Sequence, residues 1–311
     1  VPNMPAPQTA NHLPELILPN TWLAQAWNAA QQHDGSPYIG RFAPSPSGKL
    51  HQGSLVAALA SYLHARWHGG EWLVRMEDVD QSRCRYETGI HQLNTLSALG
   101  FQFEEPVWWQ TERFPAYRMA FEQLLAQKRV YPCACTRSQI AEQEAILNIA
   151  HYPRTCRQGI SAEQVIRSWR FDVGDDVVSW MDESGKATTE YLSQMSGDFV
   201  IKRGTIERDD WAYQLAVVVD DAAQGVTHVV RGADLWDSTA RQIALQRALG
   251  YTTPKYTHVP LLTNAQGEKL SKSEQAPELD ALNPIEALQH AWQFLGGKAL
   301  LISSARNFWD K

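Results

Sequence analysis

Arg41-Phe42-Ala43-Pro44-Ser45-Pro46-Ser47-Gly48-Lys49-Leu50-His51-Gln52-Gly53-Ser54 runs from an apolar, strand-like segment into an apolar, helical one. Its chemistry suits an anion. Pro44, Pro46 and Gly48 turn the chain sharply, Gly53 lets the backbone come close to a ligand, and Ser54 is placed to cap the helix that follows. Strand, turn and helix N-terminus together aim backbone N–H groups and the positive end of the helix dipole at one point. Leu55, Val56, Leu59 and Leu63 recur at helical spacing and Gly69-Gly70 offers a stop, so the spacing predicts a helix over Ser54–Trp67. Taken alone, the pattern fits a strand–turn–helix corner without a ligand equally well.

Outward from this corner the chain alternates. Tyr38–Ala43 and Glu71–Met76 read as strands and Tyr86–Leu99 as a helix closed by Gly100, which makes a βαβα start. Parallel strands with right-handed crossovers would bring the 44–53 loop and the Glu77-Asp78-Val79-Asp80 loop to one edge, where ligands of such sheets sit. A helix near Glu112–Lys128 precedes a segment with strand-like pieces at Ser168–Val173, Val177–Met181 and Asp198–Lys202. The alternation then resumes with an apolar, strand-like run at Trp211–Val219, a strand at Gly225–Arg231, a helix over Asp237–Leu249 and a strand at Thr257–Leu262. A polar turn, Asn264–Ser273, and a helix from Asn283-Pro284 to Leu295 follow. The expected fold is α/β, a Rossmann-like parallel-sheet nucleotide-binding domain with an inserted subdomain. Its parts would be an N-terminal extension at 1–37 with one helix near Thr21–Ala30, a first half at 38–130, an insertion at 131–200 and a second half at 201–311.

Composition narrows the function. A chain of 311 residues with 44% hydrophobic content can bury a substantial core. A net charge of −6 argues against nonspecific coating of nucleic acid, which needs a dense basic face. The twelve tryptophans are scattered, which suits packing rather than a base-stacking array. The sequence has no apolar run of about 18 residues and no secretory layout, so a cytoplasmic enzyme without a membrane role is expected. Four cysteines are too few for a disulfide framework; Cys133, Cys135 and Cys156 cluster with His151 and Tyr152, while Cys84 stands apart as a buried thiol.

Lys269-Leu270-Ser271-Lys272-Ser273 presents two ammonium groups and two hydroxyls on a Gly-containing loop, a second candidate phosphate site. Paired with His51-Gln52-Gly53-Ser54, it resembles the two signatures of the class I aminoacyl-tRNA synthetases. Phe42–Gly53 together with Leu73-Val74-Arg75-Met76-Glu77-Asp78-Val79-Asp80 is close to the glutamyl-tRNA synthetase pattern, and the resemblance covers about 38–285. One departure is Ser54, where many class I enzymes carry a second histidine. The resemblance implies adenylation of glutamate by ATP with Mg2+. His51, Gly53 and Ser54 would hold the phosphates from one side, and Lys272, with Lys269 and Ser271, would clamp them from the other. It also implies a glutamate pocket built from Arg41, Phe42, Ala43, Pro44, Ser45, Glu77, Tyr213 and Arg231. Glu77 would take the ammonium, and Arg231 with Tyr213 the side-chain carboxylate.

Cys133, Cys135 and Cys156 offer three thiolates for a structural zinc, and tetrahedral closure needs one more ligand. His151 is the chemically ordinary fourth. The resemblance points instead to Tyr152, because Tyr152-Pro153-Arg154-Thr155-Cys156 matches the zinc pattern of one branch of the family. Only 38 residues follow Ser273, too few for an anticodon-binding domain. The resemblance is therefore to the truncated branch that activates glutamate without tRNA and esterifies it to queuosine, the modified wobble base of tRNA(Asp), as a monomer. Three other readings stay open: a short discriminating glutamyl-tRNA synthetase, a nucleotidylyltransferase of the same fold, and a noncatalytic RNA-binding relative.

Overall fold

Residues 13–262, 279, 283–301 and 304–309 are described by the computed structural model. A helix α1 (Trp22–Gln31), capped by the Thr21 side chain, precedes strand β1 (Ile39–Phe42), helix α2 (Gln52–Trp67), strand β2 (Glu71–Met76), helix α3 (Tyr86–Ala98) and strand β3 (Glu104–Trp109). The three strands form a parallel sheet in the order β1-β2-β3. β3 has no counterpart among the sequence expectations, because Pro106 interrupts its run. An edge strand tolerates the missing N–H.

Helix α4 (Phe114–Ala126) leads into β4 (Val130–Cys133), α5 (Arg137–Leu147), β5 (Ser168–Phe171), the hairpin β6 (Val177–Met181) and β7 (Ala187–Tyr191), a turn of helix α6 (Leu192–Met195), β8 (Phe199–Arg203) and the short β9 (Asp210–Trp211). Here β4-β5-β8-β9 is an antiparallel sheet. Then come α7 (Tyr213–Ala223), β10 (His228–Gly232), α8 (Ser238–Leu249), β11 (Lys255–Val259), α9 (Pro284–Leu295) and α10 (Ala305–Trp309). β10 and β11 pair in parallel. They meet β1 edge to edge, where Thr227 N–H donates to Ile39 O at 2.9 Å.

The run expected as a strand at Trp211–Val219 is instead the end of β9 followed by α7. Leu215 through Val219 are all buried, and an apolar run without a polar face carries no period that separates helix from strand. Two large cores result. One gathers α2, β1, β2 and α9 around Trp72, which lies against Phe42, Tyr62 and Phe101 and donates its indole N–H to Ser61 Oγ at 3.0 Å. The other joins α4, the antiparallel sheet, α7 and α8 around Tyr117, Phe121, Phe171 and Trp211. The described part of the first 37 residues packs on the first core: Leu23 is fully buried, and Leu18 N–H donates to Gly296 O at 2.8 Å. No helix among the described residues is long and apolar enough to cross a membrane.

Candidate active site

The corner between β1 and α2 is held by carbonyls of its own loop. Glu77 N–H donates to Pro44 O, Arg85 N–H to Pro46 O and Leu279 N–H to Leu50 O, while Gln92 Nε2 reaches Ser45 O at 3.2 Å and Gly48 O at 2.7 Å. These bonds come from three other segments and fix a proline-rich turn that has little structure of its own. At its end the helix starts two residues earlier than expected, and His51 rather than Ser54 is the cap: His51 Nδ1 accepts from Ser54 N–H at 3.3 Å. A Cβ at position 53 would lie 3.1 Å from the His51 ring, so glycine there keeps the capping rotamer open. With Nδ1 capping the helix, His51 can meet an anion only through Nε2. Gly53 and Ser54 stand beside it in the first turn.

At the neighbouring edge lies a buried ionic network. Arg75, fully buried, donates to Asp221 at 2.7 Å, to Gln224 at 2.6 Å and to Glu77 at 3.5 Å. Arg41 Nε donates to the same Asp221 at 3.2 Å, which leaves its terminal nitrogens without a hydrogen-bond partner among the described residues. Asp220, next in the helix, accepts from Arg113 Nε at 3.1 Å and the Tyr117 hydroxyl at 2.5 Å. Burial works against ionising Asp221, but Arg41 and Arg75 outweigh it and hold the carboxyl below its usual range. For Glu77 burial wins over the two arginines, and its pKa is pushed up to about 7.

Tyr213 stands at the first turn of α7, partly buried, and not on a strand. Burial, and then the charge of Glu77, push its hydroxyl up to about 12, while Arg231 and Arg41 pull the other way. The phenol therefore stays an O–H donor at neutral pH. Arg41, Glu77, Tyr213 and Arg231 thus act on one another from four separate segments. Ala43 and Pro44 line the same loop half-buried and Ser45 is exposed. The Phe42 ring is turned into the core against Trp72, so Phe42 can meet a ligand only through its backbone.

Arg231 is 4% exposed, and every hydrogen-bond acceptor it has among the described residues is neutral: His258 Nε2 at 3.4 Å, Gln242 Oε1 at 2.7 Å, Leu235 O at 3.1 Å and Thr239 Oγ1 at 2.8 Å. Among the described residues no carboxylate lies within ion-pair distance of it. Four of its five N–H groups are engaged, and one on Nη1 is left over. A buried guanidinium without a counter-ion is costly, which makes the position receptive to an anionic ligand.

Cys133, Cys135 and Cys156 bring their sulfurs within 4.8 Å of one another. A tetrahedral zinc with thiolate ligands needs sulfurs about 3.8 Å apart, so the donor set fits a metal with small adjustments. Tyr152 Oη lies 3.3 Å from Cys133 Sγ and 3.6 Å from Cys135 Sγ. His151 turns aside, its Nδ1 3.3 Å from the Tyr152 carbonyl. Arg170, unforeseen in the sequence, stacks on the Tyr152 ring at 3.5 Å. Burial would raise the Cys133 thiol, but hydrogen bonds from Tyr152 and Arg170 bring it down to about 7. Three thiolates around a dication leave a net negative charge, and Arg170 is placed to offset it.

Between the cysteines and Tyr213 runs a groove of about 520 Å³ lined by Val79, Asp80, Cys135, Ile140 and Arg170 among others. Arg83, Arg137, Arg167 and Arg203 also border it. Arg83 and Arg203 are tied to Asp80, whereas Arg137 and Arg167 are exposed and make no ion pair among the described residues. Lys269, Ser271 and Lys272 lie outside the described residues.

Residues 39–281 match the family model of the class I tRNA synthetases (E and Q), catalytic domain. The chain is 47% identical over 280 residues to a glutamyl-Q tRNA(Asp) synthetase of Janthinobacterium sp., covering 88% of this chain and 94% of that one. It is 50% identical over 266 residues to the enzyme of the same name from Cupriavidus metallidurans, covering 83% and 84%. Among solved structures, a glutamate tRNA ligase from Elizabethkingia meningosepticum in complex with its amino acid is similar with a TM-score of 0.66 at 25% identity. The match covers 80% of this chain and 53% of that one, so the chain spans about half the length of that ligase. The glutamate-tRNA synthetase of Elizabethkingia anophelis is similar in fold, with a TM-score of 0.67 at 24% identity over 80% of this chain and 54% of that one.

Proposed function

The chain belongs to the class I tRNA synthetases of the E and Q type, and on that premise we propose that it activates L-glutamate with ATP in the absence of tRNA and esterifies the glutamyl group to queuosine in tRNA(Asp). The observation that carries the amino-acid half is the buried Arg231 with no carboxylate partner among the described residues, beside Tyr213 with Glu77 and Arg41 nearby. The free N–H of Arg231 and the Tyr213 hydroxyl take the two oxygens of the side-chain carboxylate. Arg41 offers its terminal nitrogens to the α-carboxylate, and Glu77 takes the ammonium. Glutamine would leave the guanidinium uncompensated and is excluded.

An oxygen of the α-carboxylate attacks the α-phosphorus of ATP, and the bond to pyrophosphate breaks. The carboxylate is already ionised, so no base is needed. The protein's work is to align the reactants and neutralise charge on the phosphates. His51 with the start of α2 does this from one side, and Lys272 with Lys269 and Ser271 from the other, Mg2+ accompanying the nucleotide. A hydroxyl of the queuosine cyclopentenediol then takes the glutamyl group and AMP leaves. The RNA lies along the groove bordered by Arg137 and Arg167, whose charges meet phosphates. Cys133, Cys135, Cys156 and Tyr152 hold one zinc that clips the segment between β4 and β5. The enzyme works as a monomer in the cytoplasm, where ATP and tRNA are available.

Pyrophosphate exchange into ATP tests the first half. Glutamate should drive it with no RNA present, and neither glutamine nor aspartate should replace glutamate. Exchange that required RNA, or ran without any amino acid, would reject this reading and favour a synthetase of the RNA-dependent kind or a nucleotidylyltransferase. Two expected results accompany it. Because the Glu77 carboxylate titrates near 7 and only its ionised form holds an ammonium, glutamate binding measured by calorimetry without ATP should weaken as pH falls through that value, by up to about tenfold per pH unit. A flat profile between about pH 5.5 and 8 would contradict the role of Glu77. Metal analysis should find one zinc per chain, and its removal by chelation should raise hydrogen exchange in β4 and the 152–156 segment before it does so in β1 and β2. Chelation that left exchange there unchanged would reject the clip.

A further inference from the structure

We propose that Asp182 and His258 are positioning residues that orient Arg231, and that through it they set the preference for a substrate with a second carboxylate. The proposal rests on the reading of Arg231 given above. The turn between β6 and β7 carries Asp182 out of the antiparallel region to the outer side of β11, where it bridges Tyr256 in parallel and Glu183 N–H donates to Tyr256 O at 2.9 Å. There Asp182 Oδ2 accepts from the His258 backbone N–H at 2.9 Å and lies 2.8 Å from His258 Nδ1. Both side chains are at least 97% buried. His258 is the direct register partner of Arg231 in the β10–β11 pair, and its Nε2 lies 3.4 Å from Arg231 Nε.

An ionised carboxylate only accepts hydrogen bonds, so Asp182 fixes the proton of His258 on Nδ1 and leaves a lone pair on Nε2. That lone pair receives the Arg231 Nε–H and also faces the Thr239 hydroxyl, whose Oγ1 lies 3.3 Å away. The opposite tautomer would set one N–H against another and push the guanidinium out of plane with Gln242, Leu235 and Thr239. Trp180 and Trp236 pack on the imidazole at 5.6 and 4.8 Å and keep the ring from turning. Burial and the Arg231 charge hold His258 below its usual pKa despite Asp182, so the ring is neutral at physiological pH.

The arrangement reconciles two demands. A carboxylate in direct contact with Arg231 would satisfy the guanidinium and leave little charge to read a substrate. With no anion nearby, its burial would be too costly. Asp182, one imidazole away, orders the arginine without neutralising it. The same hairpin belongs to the region that carries the cysteine cluster and borders the groove, so the glutamate reader is tied to the part of the protein assigned above to the RNA.

Pyrophosphate exchange with the full chain tests this. Asp182→Ala should raise KM for glutamate about tenfold or more, with kcat and KM for ATP within about twofold of wild type. Asp182→Asn, whose amide oxygen still accepts from Nδ1–H, should stay within about threefold. Thr239→Asp, which sets a carboxylate beside Arg231, should lower the selectivity for glutamate over glutamine at least about tenfold. An Asp182→Ala enzyme with unchanged KM for glutamate would overturn the proposal. So would equal damage to kcat and to KM for ATP, or an Asn variant no better than the Ala one. A wild type that exchanges with glutamate while these variants behave normally removes only the positioning role; a wild type with no glutamate-driven exchange removes the reading of the site as well.

Discussion

Arg231→Ala should lower kcat/KM for glutamate in pyrophosphate exchange by about 2–5 kcal/mol, roughly thirtyfold to several thousandfold. The range follows from truncating one partner of a buried charge pair, where most of the cost comes from the carboxylate left behind. In this pocket that carboxylate belongs to the substrate, and the Tyr213 hydroxyl alone would meet it. The loss should fall on KM for glutamate more than on KM for ATP, because nothing places Arg231 near the phosphates. Steady-state exchange at saturating ATP reads it directly. A variant that kept wild-type KM for glutamate would show that the side-chain carboxylate is held elsewhere. The variant itself should fold, since among the described residues Arg231 has only neutral partners to lose.

Arg75→Met has the opposite character: its effect should be on stability. The guanidinium is fully buried and serves Asp221, Glu77 and Gln224 at once, with Asp220 4.0 Å away. Removing it takes away one of the two arginines that hold the buried Asp221 and Glu77, with Arg41 left behind, which costs about 3–5 kcal/mol of unfolding free energy near pH 8. The sign with pH follows from linkage. In the wild type Asp221 is depressed, so its contribution is present above the unfolded carboxylate pKa and lost as pH falls through the lower folded value. In the variant the folded pKa of Asp221 rises and that of Glu77, already above its unfolded value, rises further, so ionising these groups contributes less stability, or removes more, as pH rises. The deficit should therefore be largest near pH 8 and shrink toward about pH 5 in urea titrations. A deficit that grew on acidification would mean that Arg75 is not the cation these groups depend on.

What could be read from the sequence, and what could not, divides along physical lines. β2 and α8 are legible because glycines bound them, Gly69-Gly70 before the strand and Gly250 after the helix, and the corner at 41–54 because proline, glycine and a helix start each leave a local mark. Tyr213 reads as the start of a strand but begins α7, because Leu215–Val219 is buried throughout and such a run has no period that separates helix from strand. α5 leaves little mark in the sequence for the reverse reason, as it buries no residue. Long-range side-chain pairing left the least trace. Arg170 over Tyr152 and Asp182 on His258 join segments far apart in the chain, and nothing local announces either pair. Asp220-Asp221 did carry a signal: two carboxylates inside an apolar helical run must find cations, and Arg75, Arg41 and Arg113 are those cations.

Cys135 and Tyr213 line one groove, which on the proposed reading would give the 131–200 region a part in both halves of the reaction. Which RNA enters that groove is decided by transfer and not by adenylation. Labelled glutamate should therefore be offered, with ATP and the purified protein, to tRNA(Asp) carrying queuosine and to the same tRNA lacking it. Label retained on the queuosine-bearing tRNA alone is the result expected here. Equal labelling of both, or labelling of tRNA(Glu) in their place, would contradict it.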